Sequence, residues 1–178
     1  MRLVVINFLI DTILNKPWTD PIYEFGSCRD HGQFELANLR PYFPGKSYVG
    51  CDIHKGIGVD RVENLNCLTL EDKVAGTVLC FETLEHVENP FMAIKEMHRI
   101  LKPGGLIMIS SVFNFPIHNH PKDYWRFTPE CFRFLMAPWF EEIEIGYDGN
   151  KEHPFGVFGR GRKVNDLAGS TTQEVTNA

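Results

Sequence analysis

Three features are missing from this sequence, and each absence excludes a class of protein. There is no apolar run of about 18 residues, so the sequence offers no candidate membrane span. The five cysteines form no C-x-x-C pair and are odd in number, which argues against a zinc site or a disulfide framework. Lysine and arginine total 18 against 23 aspartates and glutamates, a net charge of −5, so no basic stripe for nucleic acid is present. We therefore expect a soluble, cytoplasmic protein that does not bind a membrane. Nucleic acid is disfavoured as a partner, although a small RNA end stays open as a substrate.

The sequence does have the composition of one ordinary globular domain. Its 178 residues are 43% hydrophobic, which is enough to build a single core. An apolar run at residues 4–10 is interrupted by Asp11 and is not followed by a cleavage site, while Ile6, Leu9 and Ile13 lie at helical spacing. We therefore predict an amino-terminal packing helix over 2–15, one domain over 1–163 and a disordered tail over 164–178.

Strand-like and helix-like segments alternate along the chain. Strands are predicted at 22–25, 47–53, 59–63, 76–81, 106–112, 141–147 and 155–160, and helices at 31–43, 90–101 and 129–137. This alternation is typical of an α/β fold with a doubly wound, mainly parallel sheet. Ligands of such sheets bind at the carboxyl ends of the strands, which selects the loops 26–32, 52–58, 81–88 and 113–127.

Two of these loops suggest a nucleoside site. Gly26 follows the first strand and would let the backbone approach a ligand closely, although a plain tight turn explains one glycine equally well. Asp52 ends the second strand, where a carboxylate can accept both hydroxyls of a ribose. A surface aspartate or a helix cap is the alternative for Asp52.

The segment ETLEHVENPFMAIKEMHRILKPGG, residues 82–105, resembles the corresponding stretch of small, single-domain class I S-adenosylmethionine-dependent methyltransferases of the type 11 group. The resemblance implies a Rossmann-like, doubly wound, mostly parallel seven-stranded sheet with an antiparallel last strand. It also implies S-adenosylmethionine as the cofactor and S-adenosylhomocysteine as the product. One departure stands out: Cys28 and Asp30 occupy positions where the family's first loop has glycines.

The resemblance also implies which residues bind the cofactor. Glu24 and Gly26, with Ser27 beside them, would face the methionine end, and Asp52 would hold the ribose. The remaining contacts would be Ile53 on the adenine face, Asn64 and Leu65 at the adenine edge, and Phe81 and Glu82 on the sulfonium side. On the alternative interpretation, Ile53, Leu65 and Phe81 are core residues and Asn64 belongs to a turn.

The fourth loop has the largest number of polar and aromatic side chains. His118, His120 and Asp123 are candidates for a catalytic base or a substrate-orienting group. Substrate contacts are predicted for Tyr124, Trp125, Arg126 and His86. The alternatives are a lid of packed aromatic residues and histidines that serve only structural hydrogen bonds.

The pattern Glu82-x-x-Glu85-His86, with His118 on the next loop, is similar to the metal site of the ubiquinone-pathway and small-RNA 2′-O-methyltransferases. Glu-His at this position is also widespread among relatives without a metal, and Glu85 could equally cap a helix. We therefore expect no divalent metal, and we name Glu82, Glu85, His86 and His118 as its ligands should one bind.

These observations predict methyl transfer from S-adenosylmethionine to a small polar acceptor, with a sugar or secondary-metabolite hydroxyl as the favoured group. A partner protein or a homodimer could supply specificity, because little chain lies outside the cofactor fold. The departure in the glycine loop leaves open an inactive, cofactor-binding regulatory module. A nicotinamide-dependent oxidoreductase is disfavoured, since the E-x-x-E-H-V and K-P-G-G segments have no role in hydride transfer.

Overall fold

The computed structural model describes residues 1–29, 37–118 and 122–164, which form a seven-stranded sheet with helices on both faces. The strands are β1 (Ile22–Phe25), β2 (Tyr48–Asp52), β3 (Arg61–Val62), β4 (Ala75–Phe81), β5 (Leu101–Val112), β6 (Phe140–Gly149) and β7 (Pro154–Lys163). The helices are α1 (Leu3–Asn15), α2 (Pro90–Ile100) and α3 (Pro129–Met136), with single 3₁₀ turns at Arg40–Tyr42 and Leu84–His86.

The strand order is β3-β2-β1-β4-β5-β7-β6. The first five strands run parallel, and β7 pairs antiparallel with both β5 and β6. The predicted Rossmann-like sheet with an antiparallel last strand is therefore confirmed.

The alternation of side chains along β4 explains why helices cover both faces. All seven of its residues are buried. Val78 and Cys80 join the core beneath α2 and α3, whereas Leu79 and Phe81 join the core beneath α1. A strand buried on both faces reads as one continuous apolar run, which is the pattern of this segment.

α2 and α3 each begin after a residue whose side chain caps the first turn. The Asn89 side chain accepts a hydrogen bond from the Met92 backbone N–H at 3.1 Å, and Pro90 opens α2. Thr128 caps α3 in the same way, through the backbone N–H of Cys131 at 3.1 Å. α1 lies within the segment 2–15 predicted as a packing helix.

The largest difference from the predicted boundaries lies where α2 meets β5. The helix expected to run through Leu101 ends at Ile100, because Leu101 already pairs with Ala75 as the first residue of β5. The next pair is Leu106 with Thr77, so Lys102–Gly105 form a bulge within the strand and do not precede it. Pro103 cannot donate a ladder hydrogen bond and Gly104 has φ 71°, which suits both residues to a bulge.

Two further predictions fall partly outside the described residues. Of the helix predicted at 31–43, the described part contains only the 3₁₀ turn Arg40–Tyr42. Of the tail predicted at 164–178, only Val164 is described. Among the helices of residues 1–29, 37–118 and 122–164, none has the length and apolar content required to cross a bilayer.

Candidate functional site

A cleft of about 980 Å³ opens at the carboxyl ends of β1, β2 and β4. The sheet grows from β1 towards β2 and β3 on one side and towards β4 and β5 on the other. Ligands of a doubly wound sheet usually bind where this direction changes, between β1 and β4. Eight of the nine predicted cofactor residues line it: Glu24, Gly26, Asp52, Ile53, Asn64, Leu65, Phe81 and Glu82. Ser27 lies behind the cleft, only 2% exposed, and its hydroxyl donates to the Cys51 carbonyl at 3.1 Å.

Gly26 brings the backbone across the floor of the cleft. It has φ 81°, a left-handed conformation that favours glycine, and its N–H donates to the Cys51 carbonyl at 3.0 Å. A Cβ atom here would lie 2.0 Å from Oγ1 of Thr83. Both the conformation and the close neighbour therefore require glycine at this position.

Asp52 fixes the two loops on either side of the cleft. Its Oδ2 accepts from the Cys28 backbone N–H and its Oδ1 from the His54 backbone N–H, each at 3.1 Å. Each carboxylate oxygen keeps a further lone pair for a ligand hydroxyl. Cys28 lies where the family's first loop has a glycine. Its backbone N–H nevertheless donates to Asp52, the residue predicted to bind the ribose.

Glu24 contributes a buried acid to the same cleft. Glu24 is 7% exposed, and the Tyr48 hydroxyl donates to its Oε2 at 2.7 Å. Burial raises the pKa of Glu24 to about 7, although the Tyr48 hydrogen bond opposes the shift. The Tyr48 contact has no local signature in the sequence, because it depends on the parallel register of β1 and β2.

Arg2 is a cleft residue that sequence reasoning missed. From the start of α1 it binds Glu82 through two hydrogen bonds, Nε to Oε2 at 2.9 Å and Nη2 to Oε1 at 3.1 Å. Ser110 Oγ adds a third at 2.9 Å, and Glu82 itself has φ 49°, which is uncommon for a residue with a side chain. These contacts hold the Glu82 carboxylate in one orientation at the end of β4.

The opposite end of the cleft brings together Glu85, His86 and His118. One donor atom from each lies within 4.8 Å of the other two. Glu85 is fully buried: Oε2 accepts from Ser111 Oγ at 2.5 Å, and Oε1 has no hydrogen-bond partner among the described residues. Burial, reinforced by the neighbouring Glu82 carboxylate, raises the pKa of Glu85 to about 8. Glu82 is not part of this cluster, because Arg2 and Ser110 hold it.

The other predicted residues of the fourth loop have different surroundings. Tyr124 lines the cleft, and its hydroxyl donates to Glu88 Oε1 at 3.0 Å, while Trp125 Nε1–H donates to the Val87 carbonyl at 2.9 Å. Asp123 does not line the cleft: its side chain is 1% exposed and is paired with Arg126. The Arg126 guanidinium holds the pKa of Asp123 well below its usual range, so this carboxylate is a poor proton acceptor. His120 lies outside the described residues.

Because the Glu24 carboxyl is buried, we predict that the free energy of unfolding depends on pH. Its folded pKa of about 7 exceeds the ordinary value of 4.5, so the folded protein keeps a proton that the unfolded chain loses. The stabilisation is complete below pH 4.5 and is lost as the pH rises through 7, at a cost on the order of a few kcal/mol. We expect urea unfolding between pH 5.5 and 8.5 to show this decline in wild type and a smaller decline in Glu24→Gln.

The exposed Glu71 supplies the control for this experiment, because Glu71→Gln leaves the buried acid in place. Its pH dependence should match that of wild type. Equal slopes for wild type and Glu24→Gln would contradict the assignment of the titrating group.

Comparison with known proteins agrees with this architecture. The profile of a family described as a methyltransferase domain matches residues 24–109. A ubiquinone biosynthesis O-methyltransferase from Pseudomonas paraeruginosa is 32% identical over 75 residues, which cover 40% of this chain and 30% of that protein. The match thus spans less than a third of the curated relative.

Two solved structures have the same fold over most of their length. A methyltransferase dependent on S-adenosylmethionine from Thermotoga maritima aligns with a TM-score of 0.65 at 20% identity, covering 89% of each chain. Another from Archaeoglobus fulgidus aligns with a TM-score of 0.66 at 16% identity, covering 90% of this chain and 93% of its own. Its sheet order, its cleft and the match over residues 24–109 together support a class I S-adenosylmethionine-dependent methyltransferase.

Proposed function

We propose that this protein binds S-adenosylmethionine across the strand ends and transfers its methyl group to a hydroxyl oxygen of a small polar acceptor. The observation that carries the proposal is the continuity of one cleft. It runs from residues suited to a nucleoside, Asp52 and Ile53, to a cluster suited to a polar acceptor, His86 and His118.

The nucleoside end has the groups that the cofactor requires. Asp52 offers lone pairs to a ribose diol, and the apolar side chain of Ile53, 48% exposed beside it, offers a surface for an adenine ring. Gly26 allows close approach of the backbone, and Glu24 supplies a carboxyl for the ammonium group of the methionine end. Ionisation of Glu24 would accompany that contact.

The acceptor end supports oxygen as the methylated atom. A hydroxyl oxygen attacks the methyl carbon in line, the carbon–sulfur bond breaks with its electron pair going to sulfur, and the hydroxyl proton leaves. His86 and His118 both line the cleft where that proton has to go. The curated relatives carry the name O-methyltransferase, which agrees with this choice of atom.

The same end fits a divalent cation, although none is expected from the sequence. The donors are one carboxylate and two imidazoles, a set suited to borderline divalent metals, and the buried Glu85 Oε1 is without a hydrogen bond in the described structure. Glu85, His86 and His118 would hold the ion. A bound cation would lower the pKa of an acceptor hydroxyl beside it.

Cofactor binding and turnover can be tested separately. Calorimetry with S-adenosylhomocysteine should show binding, and a methyl-labelled cofactor should label at least one member of a panel of phenols, sugars and amines. Labelling of hydroxyls over amines is the expected result. Binding without turnover on the full panel would favour the regulatory module, and displacement of the cofactor by NAD would favour an oxidoreductase.

Metal binding at the cluster predicts a thermal shift. We expect Mn²⁺ or Zn²⁺, added after chelator treatment, to raise the Tm of the wild type by several degrees, because a ligand that binds only the folded state stabilises it. Glu85→Gln should remove most of that increase. Cys67→Ser, which changes an exposed cysteine that does not line the cleft, is the control and should retain the increase. An equal shift in Glu85→Gln would rule out the cluster as the site.

A further inference from the structure

Asp123 lies on the same loop as His118, but its side chain does not line the cleft. Arg126 donates to both of its oxygens, Nη1 to Oδ1 at 2.5 Å and Nη2 to Oδ2 at 2.7 Å. The His118 backbone N–H donates to Oδ2 at 2.8 Å. With a side chain that is 1% exposed, Asp123 is therefore an internal anchor of the loop.

Arg126 extends this anchor to the backbone before His118. Its guanidinium donates to the carbonyls of Phe115 at 3.3 Å, Pro116 at 3.2 Å and Trp125 at 2.8 Å. One Asp–Arg pair thus binds both ends of the loop and sets where His118 enters the cleft.

Two hydrogen-bond acceptors lie beside Nδ1 of His118. Oδ2 of Asp123 and the Pro116 carbonyl oxygen each lie 3.2 Å from Nδ1. A carbonyl oxygen and an ionised carboxylate oxygen accept hydrogen bonds and donate none. A neutral imidazole placed between two acceptors keeps its proton on that nitrogen, and the other nitrogen has the lone pair.

His86 also has a backbone acceptor at its Nδ1, supplied by the same loop. Its Nδ1 lies 2.6 Å from the carbonyl oxygen of Lys122, the residue that precedes Asp123. The two rings meet edge to face with their centroids 4.8 Å apart. One loop therefore orients two histidines that come from different parts of the chain.

We propose that Asp123 is a positioning residue: together with the Pro116 carbonyl it keeps the proton of the neutral His118 ring on Nδ1, so that Nε2 has the lone pair. The relevance to methyl transfer rests on the function proposed above. A lone pair on Nε2 is what either a hydroxyl proton or a cation requires of this side chain. The tautomer itself is a property of the protein without ligands.

Long-range ¹H–¹⁵N correlation spectra of the full, uniformly labelled chain test this directly. At alkaline pH, where imidazole is neutral, the His118 ring should show a protonated Nδ1 and an unprotonated Nε2. His118→Gln identifies the signal among the seven histidines. A wild-type ring protonated on Nε2 would overturn the proposal without any further variant.

Asp123→Asn provides the second test, because an amide can present an NH₂ group to Nδ1. We expect the Nδ1-protonated form to lose its dominance, while S-adenosylhomocysteine affinity stays unchanged because Asp123 does not line the cleft. Asp72→Asn, which alters an exposed partner of Arg99, is the matched control and should leave the tautomer as in wild type. A folded Asp123→Asn protein with the wild-type tautomer would refute the proposal. Neither measurement requires turnover, so a failure of the proposed function would be seen separately.

Discussion

Gly26→Ala should weaken the binding of S-adenosylhomocysteine about a hundredfold, equivalent to roughly 2.7 kcal/mol. A side chain at φ 81° is strained, and the added Cβ would lie 2.0 Å from Thr83 Oγ1 and 3.0 Å from two carbons of that residue. Either the first loop or the end of β4 must move, and both line the cleft. Calorimetry measures the affinity, and thermal unfolding reports any loss of stability.

Gly45 offers a matched control for this variant. It also has positive φ, at 72°, but a Cβ there would meet nothing within 4 Å. Gly45→Ala should therefore show only the conformational cost, on the order of 1 kcal/mol of stability, with the affinity unchanged. Adding Thr83→Ala to Gly26→Ala should recover part of the binding, since it removes two of the three close atoms. Similar behaviour of Gly26→Ala and Gly45→Ala would show that the close approach at Gly26 is unimportant.

Asp52→Ala should reduce cofactor affinity about ten- to a hundredfold, the value of one or two charge-assisted hydrogen bonds. The change removes the predicted acceptor of the ribose diol. It also releases the backbone N–H groups of Cys28 and His54, which the carboxylate holds at 3.1 Å on either side of the cleft. Titration with S-adenosylhomocysteine gives the affinity.

Asp52→Asn separates these two effects. The amide oxygen can still accept from one loop and from one hydroxyl, so its affinity should lie between those of wild type and Asp52→Ala. Asp72→Ala, at an exposed aspartate away from the cleft, should bind as wild type does. Wild-type affinity in Asp52→Ala would remove the ribose assignment.

The sequence predicted the sheet well because each strand has a local signature. β4 is one apolar run, and α2 begins at an Asn-Pro cap, so both could be placed from a few neighbouring residues. The start of β5 could not, because its bulge depends on pairing with Ala75, more than 20 residues earlier in the chain. Strand register is a long-range property, and local patterns report it weakly.

The cleft shows the same division between local and distant information. Gly26 and Asp52 could be assigned from their positions at strand ends, and the structure places both in the cleft. Arg2 could not, since its partner Glu82 is 80 residues away in the chain. The pairing of Asp123 with Arg126 could not be assigned from the sequence either. Opposite charges three residues apart face each other on a helix, and residues 122–128 form none.

The contact between Arg2 and Glu82 has a practical consequence for recombinant work. Met1 and Arg2 both line the cleft, and the Arg2 guanidinium also reaches Asp148 at 3.1 Å. A purification tag fused ahead of Met1 would run its linker along the mouth of the binding pocket. Material for kinetics is better prepared without added residues ahead of Met1.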